Sequence, residues 1–333
     1  MDVTYPEGGE RPVPASTLVQ GRLLAWFDVH GRTALPWRRT RDPYAILVAE
    51  MMLQQTGVER VTPKYEAWLA EFPTLEALAA APTAALIRAW AGLGYNSRAV
   101  RLQEIARRAV SLYGGVLPST YEGLRALKGI GPYTAGAVLC FAHEQDVAFI
   151  DTNIRRVLGR VFHGPEGLVA ALSEKEMESL AARVLPSGRA WAWYSALMDL
   201  GATVCTDSKP ACLVCPLVAE CRAAFGAGRV AREGSAVYKP KRSQGPWRGS
   251  TRYYRGRIVD VLRALPPGED IDLDALVADV VAAAAALYAS SGKTAPDGGE
   301  AALVTLQVEK LAADGLVALR VDEHGVRWAS LPS

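Results

Sequence analysis

Residues 127–139, LKGIGPYTAGAVL, place two glycines around an isoleucine, follow them with a proline, and continue into a helix-forming run. Gly129 and Gly131 permit the positive φ that a tight interhelical turn needs. Such a turn leaves the first N–H groups of the next helix pointing outward, ready to receive a phosphate. An ordinary αα-hairpin has the same appearance, so the stretch defines helix–turn–helix geometry and leaves its use open.

Outward from the hairpin the chain reads as mostly helical. Thr17–Gly31 is amphipathic, with Leu18, Leu23, Leu24 and Phe27 at helical spacing. Further helical stretches are expected at Pro63–Glu71, Leu75–Ala79, Ala84–Ala91, Ser97–Leu112, Tyr121–Leu127, Thr134–Phe141, Asn153–Phe162, Glu174–Val184 and Ala190–Gly201. Turns such as GLGYNS (92–97) and YGGVLPST (113–120) separate them, and nothing resembles a βαβ alternation, so the class is all-α. Beyond about residue 250 three helical runs precede ALRVDEHGVRWAS (318–330), whose His324-Gly325 marks a hairpin. Three helices and a hairpin form a winged-helix pattern, used on DNA and in protein contacts alike. Between two of those helices, SSGKTAPDGGE (290–300) lacks the upstream glycine and strand of a phosphate-binding loop and is read as a flexible connection.

The 333-residue chain has room for two or three domains, and its net charge of +2 says nothing by itself about a nucleic-acid partner. Distribution says more. From Arg222 to Arg257 ten Lys or Arg face one acid, Glu233, with Tyr238, Trp247, Tyr253 and Tyr254 interleaved. That segment is either a solvated linker or a phosphate-contacting stretch. No run is long and apolar enough to span a bilayer, and the polar, proline-rich start has no signal-like centre. A cytoplasmic protein with a loose first segment and no membrane partner is expected.

Residues 45–56, AILVAEMMLQQT, are apolar from Ala45 to Leu53 except for Glu50. Burying an unpaired carboxylate costs several kcal/mol or drives it to its neutral form. Glu50 is therefore either at a helix edge, paired with a distant cation, or a catalytic acid. Asp151, in VAFIDTNIRRVLGRVF (147–162), follows an apolar run and stands where it would cap the helix beginning near Asn153. Four of five cysteines lie in CTDSKPACLVCPLVAEC (205–221), spaced C-x6-C-x2-C-x5-C through Cys205, Cys212, Cys215 and Cys221. Four thiolates this close suit a soft metal centre, either zinc or a [4Fe–4S] cluster. Cys140, alone in an apolar helix, reads as core packing.

Together these motifs resemble the helix-hairpin-helix DNA glycosylases of the endonuclease III type, and most closely the MutY-type adenine DNA glycosylases. The resemblance runs from about Leu18 to Cys221, with LPWR, AEMMLQQT, GLGY, GIGPYTAGA, DTN and the cysteine loop in the family's order. It implies a [4Fe–4S] cluster rather than zinc. It also implies a six-helix barrel domain at 35–139 and a cluster domain at 17–34 and 140–225. These would lie between a flexible segment at 1–16 and a basic linker at 226–250, with the winged-helix-like domain at 251–333.

By the same resemblance Glu50 would be the general acid, its neighbours Val48, Met51 and Met52 helping to keep it protonated. Asp151, beside Asn153, would stabilise the cationic sugar left as a flipped-out adenine departs. Tyr133 stands where bifunctional relatives carry a Schiff-base lysine; a phenol cannot play that part, which implies a monofunctional enzyme with Tyr133 near the sugar or the aspartate. Gln54, Gln55, Thr56 and Tyr95 match family positions at the DNA stack, Gly129 and Gly131 the hairpin, and Trp37 and Arg38 a loop lining the adenine pocket. Trp37 reads equally well as core.

Two departures stand out: Thr152 replaces a glycine common between the aspartate and asparagine, and the tail does not resemble the family's usual MutT-like module for 8-oxoguanine. The expected partner is double-stranded DNA carrying adenine opposite 8-oxoguanine or guanine, bound by a monomeric, nucleoid-associated enzyme. The alternatives are a mismatch thymine or uracil glycosylase, and a catalytically silent DNA-binding protein.

Overall fold

The computed structural model describes residues 14–225, 250–290 and 299–333. Most of the expected loose N-terminal segment, the basic linker and the 290–300 connection therefore lie outside the described residues. The helices run α1 (Ser16–His30), α2 (Pro43–Leu53), α3 (Val58–Glu71), α4 (Leu75–Ala80), α5 (Thr83–Ala89) and α6 (Ser97–Tyr113). They continue as α7 (Tyr121–Ala126), α8 (Pro132–His143), α9 (Thr152–Phe162), α10 (Glu166–Ala171), α11 (Glu174–Arg183) and α12 (Ala190–Thr203). After the cysteine loop come α13 (Thr251–Ala264), β1 (Ile271–Asp272), α14 (Leu273–Ala289), α15 (Glu300–Ala313), β2 (Ala318–Val321) and β3 (Arg327–Ser330).

The chain divides into two compact units. One comprises Met1–Ile46, Ser119–Ala126 and Ile130–Arg242; the other comprises Leu47–Pro118, Leu127–Gly129 and Ser243–Ser333. In the first unit α12 packs against α1 and α9. Leu23, Phe27, Ile154, Leu158, Trp193, Tyr194 and Leu197 are all buried there. At its surface α11 starts with a capping box, in which the Ser173 side chain accepts from Glu176 N and Glu176 answers to Ser173 N.

In the second unit α4 packs against α6, and at the ends of α3 and α5 Phe72 and Trp90 meet the buried Trp68 edge-on at centroid distances of 4.8 and 5.2 Å. Its C-terminal part is a winged-helix arrangement: three helices and an antiparallel sheet in the order β1-β3-β2. The strand β1 is not legible in the sequence because Asp272 does two jobs. Its backbone pairs with Trp328, while its side chain accepts from Ala275 N at 2.9 Å and caps α14. The apolar cluster of this part, including Tyr254, Ile258, Leu276, Val280, Val308 and Ala329, also takes in Ile87 of α5.

Two local details sharpen the sequence reading. Of the hairpin glycines Gly129 alone takes positive φ (109°), whereas Gly131 is extended (φ −82°, ψ 173°) as the residue preceding α8. A Cβ on Gly129 would stand 2.7 Å from the Arg101 side chain, so both conformation and space demand glycine there. Helix α3 begins at Val58 rather than Pro63, so the proline sits inside it. Pro63 is the sixth residue of α3, past the N–H groups that lack an intrahelical acceptor, so the helix forgoes the bond a donor there would make to Glu59 O.

Candidate functional site

Glu50 is buried in α2, 7% exposed, on a helix whose flanking Val48, Ala49, Met51 and Met52 are buried completely or nearly so. Beyond the helix the chain turns sharply. Gln55 is exposed with φ 57°, in the left-handed region that costs a non-glycine residue about 1–3 kcal/mol. Tyr95, in the GLGYNS loop of the same unit, is 46% exposed with φ 47°. Two strained, outward-facing residues therefore sit on two separate loops.

One arginine holds both loops. Arg98, 4% exposed near the start of α6, donates through Nη1 to the carbonyls of Met51, Met52 and Gln54 at 2.8, 2.9 and 2.7 Å. Through Nη2 it reaches Thr56 Oγ1 at 3.1 Å, Leu93 O at 3.1 Å and Gly94 O at 2.9 Å. Thr56 is buried and contacts Leu93 O as well, at 3.3 Å. The orphan carbonyls at the end of α2 are thus capped by a charged group instead of water. Burial pushes the guanidinium down to about 10, but it stays charged at neutral pH. Gln54 is half-buried, its amide 3.5 Å from Met51 Sδ.

In the first unit Asp151 caps α9, its Oδ1 accepting from Ile154 N at 2.6 Å and its Oδ2 from Asn153 Nδ2 at 3.1 Å. Burial raises the Asp151 carboxyl above its ordinary value, and these donors, with Arg156 nearby, act in the opposite direction. Arg156 Nη2 donates to Asn153 Oδ1 and to Gly201 O, both at 2.7 Å, and its Nε donates to Cys205 O at 2.8 Å. A continuous line of hydrogen bonds thus runs from Asp151 through Asn153 and Arg156 to the first cysteine. Gly201 permits it by closeness: a Cβ there would lie 2.8 Å from Asn153 Cβ. Tyr133, one residue into α8, packs edge-on against Phe149 at 5.6 Å, and Phe149 stacks on Tyr194 at 4.0 Å. In the hairpin itself, Arg125 Nη1 donates to Ile130 O at 2.5 Å.

Cys205, Cys212, Cys215 and Cys221 line one pocket together with Arg160, Val204, Pro210 and Val218. None is in a disulfide. Burial pushes the Cys215 thiol up to about 11 and that of Cys221 up to about 12, and the neighbouring cysteines add to both shifts. Among the described residues no group of three Cys, His, Asp or Glu is arranged to hold a single metal ion. Arg160, 1% exposed, donates to Thr206 O and Asp207 O at 2.7 and 2.8 Å and approaches Cys205 Sγ at 3.5 Å. The far end of the loop is tied to α9 by Ala223 N to Arg160 O at 3.0 Å. Cys140 is buried apart from this group.

Trp37 and Arg38 are both 8% exposed. The Arg38 guanidinium faces Asp199 Oδ1 at 3.3 Å, a carboxylate that Arg32 also engages at 2.7 and 2.9 Å, and lies about 6 Å from the rings of Phe27, Phe141 and Trp191. The arginines at 98, 156 and 160 escaped the sequence reading. Arg160 had a signal, being a cation inside the apolar run VLGRVF; the acceptors of the other two are mostly backbone carbonyls, which no side-chain pattern reveals.

The family model of HhH-GPD superfamily base excision DNA repair proteins matches residues 48–185. The chain is 45% identical over 245 residues to the adenine DNA glycosylase of Mycolicibacterium smegmatis, covering 72% of this chain and 79% of that protein. It is 41% identical over 222 residues to the human adenine DNA glycosylase, covering 64% of this chain and 40% of that one. Among solved structures, a thermostable thymine-DNA glycosylase aligns with a TM-score of 0.58 and 31% identity, over 62% of this chain and 94% of that one. A non-covalent endonuclease III–DNA complex aligns with a TM-score of 0.55 and 21% identity, over 64% of this chain and 97% of that one, a likeness of fold.

Proposed function

The chain belongs to the adenine DNA glycosylases of the HhH-GPD base excision repair superfamily, and from that premise we propose that it removes adenine mispaired with 8-oxoguanine or guanine in double-stranded DNA. In this reading the adenine leaves the stack before it reacts. Glu50 gives its proton to a ring nitrogen, the N-glycosidic bond breaks, and ionised Asp151 stabilises the oxocarbenium character of the sugar. Water then adds to the sugar carbon, leaving free adenine and an abasic site. The observation that carries the reading is Glu50, a carboxyl 7% exposed within an otherwise apolar helix. A carboxyl buried in an apolar setting is a recurrent arrangement for a general acid.

Asn153 and Ile154 fix both oxygens of Asp151, the geometry a stabilising carboxylate needs. Tyr133 supplies a ring and a hydroxyl but no amine, which supports hydrolysis without strand cleavage. Gln55 and Tyr95 are assigned to the DNA stack, in keeping with their exposure and left-handed backbone, with Gln54 and Thr56 shaping the loop beneath them. The open space around Gly131 and the outward N–H groups at the start of α8 suit a phosphate. Trp37 and Arg38 are assigned to support of the adenine pocket from within their own core.

For the four cysteines the donor set fits a [4Fe–4S] cluster. Four thiols share one pocket, a donor set that suits a soft metal centre, and the family resemblance is what favours the cluster over zinc. Cys205, Cys212, Cys215 and Cys221 would hold it. Its contribution would be to clamp the loop, while Arg156 and Arg160 hold the loop's carbonyls from α9.

The 31% likeness to a thymine-DNA glycosylase favours a second reading, removal of thymine or uracil opposite guanine. One experiment separates the two. Duplexes containing A:8-oxoguanine, A:G, T:G and U:G are incubated with the protein, and abasic sites are then opened with alkali. Release from the adenine pairs alone is expected; release from T:G and from neither adenine pair would overturn the assignment.

A further inference from the structure

The C-terminal winged-helix part is charged against the partner its topology suggests. Residues 251–333 hold eight Lys or Arg against twelve Asp or Glu. Four of those arginines are in ion pairs, Arg255 with Asp314, Arg263 with Asp260, Arg320 with Asp270 and Arg327 with Glu309. On α15, the helix that would enter a groove, the exposed residues include Ala301, Ala302, Leu306, Glu309, Lys310 and Ala313. A net-acidic part with a single lysine on that helix offers little to a phosphate backbone.

Its polar contacts go instead to the chain that carries Tyr95. Arg263, in the last turn of α13 with its side chain 11% exposed, donates through Nε to Ile87 O and through Nη2 to Asn96 Oδ1, both at 2.9 Å. Asn96 directly follows Tyr95 and makes no side-chain cap to α6, so its amide is committed to Arg263 rather than to its own helix. Two further bonds join the same elements: Arg88 Nη2 to Leu265 O at 2.7 Å, and Ala84 N to Pro332 O at 2.8 Å. With Ile87 buried in the winged-helix cluster, α5 is anchored by apolar packing as well.

We propose that the winged-helix domain is a brace for the GLGYNS loop, in which Arg263, acting through Asn96, is a positioning residue for Tyr95 on the DNA. A left-handed tyrosine relaxes unless neighbours hold it, and here Arg98 holds the carbonyl of Gly94 while Arg263 holds the side chain that follows Tyr95. The brace rests on the reading of Tyr95 as a residue that enters the DNA stack.

The test uses the full chain and a duplex with 2-aminopurine in place of the adenine opposite 8-oxoguanine, whose fluorescence rises when the base leaves the stack. At saturating protein, Arg263→Gln and Asn96→Ala are each expected to cut that rise at least threefold. Arg263→Gln is expected to add nothing in a Tyr95→Ala background. Asp260→Asn, which removes only the exposed ion-pair partner of Arg263, is expected to leave the signal unchanged. If Arg263→Gln does not fold, Asn96→Ala, which leaves α13 intact, carries the test. Loss of the signal in Tyr95→Ala but not in Asn96→Ala overturns the brace, as does an additive loss in the double variant. A full signal in Tyr95→Ala instead overturns the reading of Tyr95 beneath it.

Discussion

Asn153 donates its side-chain amide to Asp151 Oδ2 at 3.1 Å, on the same carboxylate whose other oxygen caps α9. Burial still wins over these donors and leaves the Asp151 carboxyl above its ordinary value. The ionised form is the one required for stabilising a cation, so activity falls as pH drops through this raised value. Asn153→Ala removes a donor that favours ionisation, which raises the value further. Single-turnover rates across pH 5–9 should show the acid limb of the variant displaced to higher pH; a superimposable limb would disprove the link.

Glu50→Gln keeps the shape of the side chain and removes its transferable proton. The single-turnover rate on A:8-oxoguanine should fall by about 10²–10⁴-fold, the usual contribution of a general acid. A rate within tenfold of the parent protein would rule out the assigned role.

Tyr133 offers no amine to attack the sugar. The product strand should remain intact until alkali is added, and borohydride should trap no protein–DNA adduct. Strand scission without alkali would show that another nucleophile is at work.

Arg98→Met strips the cap from α2 and leaves buried carbonyls unpaired on both loops. Denaturant unfolding should show a loss of about 3–5 kcal/mol, the cost of leaving several buried acceptors without a donor. Arg98→Lys should recover only part of this, because an ammonium cannot spread its donors over seven acceptors as the guanidinium fork does. A change below about 1 kcal/mol in Arg98→Met would mean that water replaces the guanidinium at no penalty.

Cys212→Ser removes one of the four thiols from the shared pocket. The purified parent should show the broad visible absorption of an iron–sulfur protein and the variant should lose it. Stoichiometric zinc in a colourless parent would replace the cluster assignment.

Where the chain announces its structure, the signal is local. The cap at Asp151, the turn at Gly129 and the carboxyl isolated in α2 are each readable within a dozen residues, because one helix turn or one apolar run decides them. Gly131 is legible only in part for the same reason: glycine permits a positive φ there, while its extended backbone follows from its place before α8. Arg98 and Arg263 are illegible because their acceptors are carbonyls and an amide far along the chain, 47 residues away for Arg98 with Met51 and 176 for Arg263 with Ile87. Strand β1 hides behind an aspartate whose capping role is the more visible of its two.

The bond from Ala84 N to Pro332 O, next to the burial of Ile87 in the C-terminal cluster, sets an order on synthesis. A ribosome adding about 5–20 residues per second finishes α5 tens of seconds before it delivers the residues that α5 packs against. Through that interval the nascent chain carries an apolar surface on α5 with its permanent cover still unmade. Delivery of the strand β3 and the residues just after it is then the event that closes this half of the protein over α5.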